Sequence, residues 1–172
     1  METKRLEALT EDRSVADPIW VHIRSEAADI LSSDADLARL LRSNILDQPS
    51  FDRAVIERLA ARLDHPDVPR AVIVEIFASI AQSDPSIGEG FRADLMAVAD
   101  RDPACTRFVE PLLYFKGFHA LQTHRFAHAL ARQGRRDFAL YLQSRSSEIF
   151  QTDINPDARI GRGVFLDHAT GL

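Results

Sequence analysis

From about position 17 to 150, the apolar residues of this 172-residue chain return every three or four positions. That spacing lines one face of an α-helix. Asp17-Pro18 opens the first such stretch, an acceptor side chain followed by proline at the first helical position. Ile19, Trp20, Ile23, Ala27, Ile30 and Leu31 form its stripe. Ser33, with Asp36 three residues on, has the layout of a capping box and predicts a second helix through Leu37, Leu40, Leu41 and Ile45. Ser50 opens a third, with Phe51, Val55, Leu59 and Leu63, and the prolines between His65 and Pro69 break it. Ile73, Ile76, Phe77 and Ile80 mark a fourth. Asp84-Pro85 repeats the cap-then-proline signal ahead of Ile87, Phe91, Leu95 and Val98. Asp102-Pro103 has the same local form, but the apolar pattern behind it is short and Pro111 interrupts it. A long helix is predicted from about Pro111 or Gly117 to Gln133, with Gly134 as its stop, and a last one from about Arg135 to Phe150. Phe115 and Phe118 read as core.

The period then changes. Ile154, Ile160, Leu166 and Leu172 fall six apart, with Ala158, Val164 and Thr170 four after the first three. Neither helix nor strand repeats every six residues, whereas each face of a parallel β-helix does. Asn155-Pro156 excludes continued helix at this point. The expected fold class is therefore mainly α: a bundle of seven or eight helices, then the start of a parallel β-helix. Residues 1–16 are polar and expected to be a flexible N-terminus, 17–152 an all-α domain, and 153–172 the first coil. A solenoid coil buries its core only against stacked neighbours, so 153–172 is expected to be loosely held.

Composition adds limits. A content of 45% hydrophobic and 27% charged residues suits a soluble globular protein. A net charge of −5 and a pI near 5.7 argue against nucleic acid or an anionic membrane as the main partner. The charge is uneven, −8 over residues 1–110 and +3 over 111–172, and a basic half suits an anionic cofactor. Cys105 is the one cysteine, so no intrachain disulfide exists. Met1 to Asp17 lacks the apolar stretch of a signal peptide, and the apolar run Ala71 to Ala81 is too short to span a bilayer. A cytoplasmic location is the expectation.

Three residues near the end carry candidate chemistry: Asp153, Asp167 and His168. Histidine titrates at about 6.5 when unperturbed and suits proton removal from a hydroxyl. A carboxylate behind it would hold its tautomer and stabilise the imidazolium. A three-sided coil takes roughly eighteen residues, so a fifteen-residue offset brings Asp153 and His168 near each other in adjacent coils. The alternative is that Asp167-His168 is a polar corner. His124 and His128 have metal-ligand spacing, but no Glu follows His124 and no other ligand stands nearby. With His119 they are assigned to packing or structural hydrogen bonds, and no metal is expected. Cys105 has no evident base beside it and reads as a small, partly buried side chain. Arg132, Arg135 and Arg136 complement a helix C-terminus.

Asp102-Pro-Ala104, Pro111-Leu-Leu-Tyr-Phe-Lys-Gly-Phe-His-Ala-Leu-Gln122, Gln133-Gly-Arg-Arg136, and Asp153-Ile-Asn-Pro156 through Leu166-Asp-His-Ala-Thr-Gly171 together resemble serine O-acetyltransferase. The resemblance runs from about Asp17 to Leu172. It implies a left-handed β-helix after the helices, and an enzyme that makes O-acetylserine from L-serine and acetyl-CoA for cysteine biosynthesis. It assigns His168 as general base, Asp153 as its paired carboxylate, and Asp167 and Asp102 as serine-binding residues, with Pro103 lining the pocket. Asn155 stands where the family usually has histidine. Acetyl-CoA would bind to coils beyond Leu172, so no cofactor-binding residue falls in this chain. The resemblance also implies a dimer of trimers, a C-terminal tail that docks into O-acetylserine sulfhydrylase, and no activity in a chain truncated at Leu172. Two other readings stay open: a hexapeptide acetyltransferase with another acceptor, such as a sugar, and a non-catalytic helical oligomerisation module.

Overall fold

The computed structural model describes residues 17–172; the N-terminus 1–16, expected to be flexible, lies outside the described residues. Asp17 begins the architecture as the sequence predicts. Its Oδ1 accepts from the backbone N–H of Ile19 at 3.1 Å and opens α1 (Pro18–Ser33). The expected second helix is not regular. A 3-10 turn (Ala35–Leu37) leads into a single α-helical turn, α2 (Ala38–Leu41), which widens into a π turn (Arg42–Leu46). Its cap is Asp34, which accepts from Asp36 N at 3.2 Å, rather than Ser33. Ser33 is still inside α1, where its hydroxyl donates back to the Ile30 carbonyl. Arg24 on α1 donates to the carbonyls of Leu46 and Gln48, supplying partners that the irregular end of this stretch lacks.

Ser50 caps α3 (Phe51–Leu63) through Arg53 N, and Asp64 accepts from Arg70 N at the start of α4 (Arg70–Ser83). Asp84 accepts from Ser86 N at the start of α5 (Ser86–Arg101). Asp102-Pro103, the third Asp-Pro pair, does the opposite. Asp102 closes α5, its own N–H bonded to Val98 O at 2.9 Å and its carboxylate accepting from Ala104 N. The short α6 (Val109–Leu113) contains Pro111 in its first turn, where a missing N–H removes no helical bond. Its N-terminus is capped from a distance by Glu26 of α1, which accepts from Phe108 N and Val109 N. The final hairpin is α7 (Lys116–Arg132) and α8 (Arg136–Phe150), joined through Gly134 at φ 78° and packed together.

The core gathers around α7, which is buried on several sides: Phe118, Leu121, Phe126 and Leu130 are all inaccessible or nearly so. The Phe126 ring stacks on Phe77 at 3.9 Å and sits 5.7 Å from Phe91, tying α4 and α5 to α7. Phe115 and Phe118 join this core as expected. No helix among the described residues is long and apolar enough to cross a membrane.

Residues 153–172 depart from expectation. They contain no β-strand; the one isolated bridge among the described residues, His65 with Val68, lies elsewhere. A parallel ladder needs a neighbouring coil to bond with, and one circuit brings only its own ends together. Those ends do meet. Asp153 N donates to Leu172 O at 2.9 Å, Gly171 N to Gln151 O at 3.0 Å, and the buried Thr152 hydroxyl to Ala169 O at 2.9 Å. Between them the segment folds back onto the helical domain instead of hanging loose.

Candidate functional site

Helix α7 is the bed on which residues 153–172 lie. Near its C-terminal half, His128 Nδ1 donates to Pro156 O at 2.7 Å and His124 Nε2 to Ala158 O at 3.1 Å. Arg125 Nη2 donates to Gly161 O at 2.8 Å. At the N-terminal end of the helix, Lys116 Nζ donates to Thr170 Oγ1 at 2.5 Å. The segment thus runs back along the helix, and side chains supply the donors that a β-ladder would have supplied to its backbone. The two histidines spaced for a metal are spent on carbonyls, as structural hydrogen-bond donors. Among the described residues, no three His, Cys, Asp or Glu groups are placed to hold an ion. Burial lowers the His124 pKa to about 4. Burial likewise takes His119, bonded through Nε2 to Leu112 O, to about 3. Both are neutral donors at physiological pH.

Helix α5 supplies the second anchor through Asp94, a carboxylate with 0% exposure. Its Oδ1 accepts from Gly163 N at 2.9 Å and Val164 N at 3.0 Å. Its Oδ2 accepts from Arg125 Nη2 at 2.6 Å and Gln122 Nε2 at 3.0 Å. Arg101, at the end of α5, donates to Gly163 O at 2.9 Å. Exposed ion pairs, Arg162 with Glu89 and Arg136 with Asp157, flank these contacts. Gly117, near the start of α7, lies under the chain ahead of the Asp-His pair. A Cβ there would overlap the Leu166 carbonyl oxygen and stand 3.1 Å from its carbon.

The sequence assigns no role to Asp94 or Arg125, and Gly117 enters there only as a possible helix start within a motif. Asp94 carried a signal, an acidic residue on the buried stripe between Phe91 and Leu95. Gly117 carried another, a glycine in the first turn of a long helix that has no need of one.

The five residues singled out by sequence occupy three places. Asp167 and His168 sit together on the segment, His168 Nε2 at 3.6 Å from Asp167 Oδ1, with side chains 61% and 92% exposed. The ring faces solvent, not core. His168 and the buried Ala169 both have positive φ, 47° and 48°, so the chain turns sharply at the dyad. Asp153 follows α8, and its Oδ1 accepts from Gln143 Nε2 at 2.5 Å. No hydrogen bond joins Asp153 to His168 among the described residues, although Thr152 and Ala169 are bonded beside them. Asp102 is half-buried and Pro103 exposed at the end of α5, next to the Arg101 that holds Gly163. Cys105, close to Asp102, is half-buried and free. Burial, with Glu110 and Asp102 adding to it, raises its thiol to about 11. A cleft of about 700 Å³ opens between α4, α5, α7 and residues 160–162, but none of the five lines it.

A helical domain presenting an exposed Asp-His pair on a docked return segment matches a known family. The model described as "Serine acetyltransferase, N-terminal" matches residues 19–123, and the chain belongs to the serine acetyltransferase family. The serine acetyltransferase of Haemophilus influenzae is 42% identical over 154 residues, covering 90% of this chain and 58% of that protein. Probable serine acetyltransferase 2 of Oryza sativa subsp. japonica is 42% identical over 159 residues, covering 92% and 45%. The crystal structure of serine acetyltransferase in complex with coenzyme A from Brucella abortus is 55% identical with a TM-score of 0.90, covering 91% of this chain and 63% of that one. The chain therefore spans about half the length of these curated relatives.

Proposed function

We propose that this chain supplies the helical domain and the base-bearing segment of an enzyme that moves the acetyl group of acetyl-CoA onto the hydroxyl of L-serine. The observation that carries this reading is the Asp167-His168 pair, held at a sharp turn on a segment docked to the domain and open to solvent. His168 takes the proton of the serine hydroxyl as its oxygen attacks the thioester carbonyl. The tetrahedral adduct collapses with loss of the coenzyme A thiolate, and the imidazolium returns its proton to that sulfur. Asp153 holds the ring once it leaves Gln143. Asp167 and Asp102 accept from the serine ammonium group, and Pro103 lines the same pocket. In this reading residues 153–172 become the first coil of a left-handed β-helix when the following coils stack on them. Those coils bind acetyl-CoA, and no metal takes part. The same reading places the enzyme in the cytoplasm, in cysteine biosynthesis, as a dimer of trimers whose C-terminal tail meets O-acetylserine sulfhydrylase.

The test is a pair of proteins: the 172-residue chain, and a chimera that continues it with the remainder of the Brucella abortus relative. Serine-dependent release of coenzyme A is expected from the chimera and not from the chain alone. In the chimera, His168→Ala should cost more turnover than Asp153→Ala, since the second removes only the support for a base. A folded chimera that acetylates a sugar and ignores serine would defeat the reading.

A further inference from the structure

Asp94 does more than join two helices. Its two oxygens divide their work: Oδ2 faces Arg125 and Gln122 on α7, while Oδ1 takes the backbone N–H groups of Gly163 and Val164. Arg125 in turn donates to Gly161 O, so one buried ion pair engages both donors and an acceptor of the same short turn. A second fixed point follows at Leu166, whose carbonyl rests on the bare Cα of Gly117, with the Ala169 Cβ at 3.4 Å from where a side chain would begin. A third is Thr170, held by Lys116. Asp167 and His168 lie between the second and third. Glycine is a poorer helix former than alanine. At position 117 it stands where a methyl group would push the chain that leads into the dyad. Apolar side chains could join α5 to α7 as firmly as the ion pair does; only a polar pair can also grip a backbone.

We propose that Gly117 and the Asp94–Arg125 pair are positioning residues for His168, setting the path of residues 161–166 and through it the placing of the base. The proposal rests on the acetyltransferase reading for its catalytic consequence, but not for its structural one. Two measurements separate them. In the 172-residue chain, NMR should find the amide and ring signals of Leu166 to Ala169 displaced in Gly117→Ala, and the amides of Gly163 and Val164 exchanging at least tenfold faster in Asp94→Asn. In the chimera, Gly117→Ala should lower kcat at least tenfold with KM for acetyl-CoA unchanged and melting within a few degrees of the parent. Val21→Ala, an exposed truncation on α1, is the control and should stay within twofold. Unmoved signals at 166–169 overturn the structural claim whether or not the chimera is active. Displaced signals with kcat within twofold in an active chimera, or an equal loss in Val21→Ala, overturn the positioning role. An inactive parent chimera with displaced signals supports the anchoring and counts against the enzyme reading alone.

Discussion

Two parts of this molecule are held by different forces. The helices from 18 to 150 are joined through apolar burial, centred on the stacked Phe77 and Phe126 rings. Residues 153–172 bury little apolar surface of their own; Ile154, Ile160 and Leu166 are only half-covered and Leu172 is exposed. They are held by side chains that bond to backbone, Asp94, Arg125, His124 and His128, and by Lys116, which bonds to the Thr170 hydroxyl. Burial is non-directional and tolerates small shifts, so it builds a domain. Hydrogen bonds from fixed groups are directional and hold a backbone in one path. The segment that carries the Asp-His pair is fastened by the directional kind.

The comparison is most strongly tested by truncating the core. Phe126→Ala should lower the stability of the helical domain by about 3–5 kcal/mol, read from denaturant unfolding, because the cavity cannot close around two facing rings. A loss below about 1 kcal/mol would show that the stacked rings are not its centre.

Acid should loosen both regions through two histidines of α7, His119 bonded within the helical domain and His124 bonded to Ala158 of the docked segment. His119 and His124 have folded pKa values lowered to about 3 and about 4. The unfolded chain therefore binds protons near pH 6.5 that the folded chain refuses. Their contribution is complete above about pH 6.5 and is lost as the pH falls toward 4. His124→Gln should flatten the slope of stability against pH in that window by about 1.4 kcal/mol per unit, the value for one proton. An unchanged slope in equilibrium unfolding would mean that His124 protonates without hindrance in the folded chain.

Smaller effects separate local from long-range roles. Asp17→Ala removes the α1 cap and one leg of the Arg92 network, which also reaches Asp52 and the Gly88 carbonyl. A loss of about 1–2 kcal/mol is expected in thermal or denaturant unfolding. Arg162→Ala removes an exposed pair with Glu89 and should cost no more than about 1 kcal/mol. If it instead frees residues 160–164, as read by amide exchange, the buried anchors are not sufficient by themselves.

The helices were legible because their evidence is local. Asp17 and Ser50 act as caps, Asp84 bonds to the N–H two residues on, and Gly134 stops α7, each within one turn of its residue. The irregular stretch after α1 was not legible, since whether Ser33 or Asp34 takes the cap depends on where α1 stops. The role of Asp102-Pro103 was obscured by its likeness to the two earlier pairs. Its surroundings, not its residues, turn it from a helix start into a helix end. In the candidate site, the motif residues Asp167 and His168 were legible by type. Their supports were not, because a buried acid and a first-turn glycine have meaning only beside the chain they touch.

The sequence by itself determined which stretches are helical, where the period changes to six, and which acids and histidine carry candidate chemistry. Tertiary structure decided that Glu26 caps α6 from 82 residues away, that Asp94 holds an amide 69 residues on, and that 153–172 lies along α7 without forming strands. The division follows the range of the forces. Backbone periodicity and capping act within a turn and leave their mark on neighbouring letters. A carboxylate's choice of a distant N–H, or a carbonyl's rest against a bare Cα, depends on which surfaces burial has first brought together.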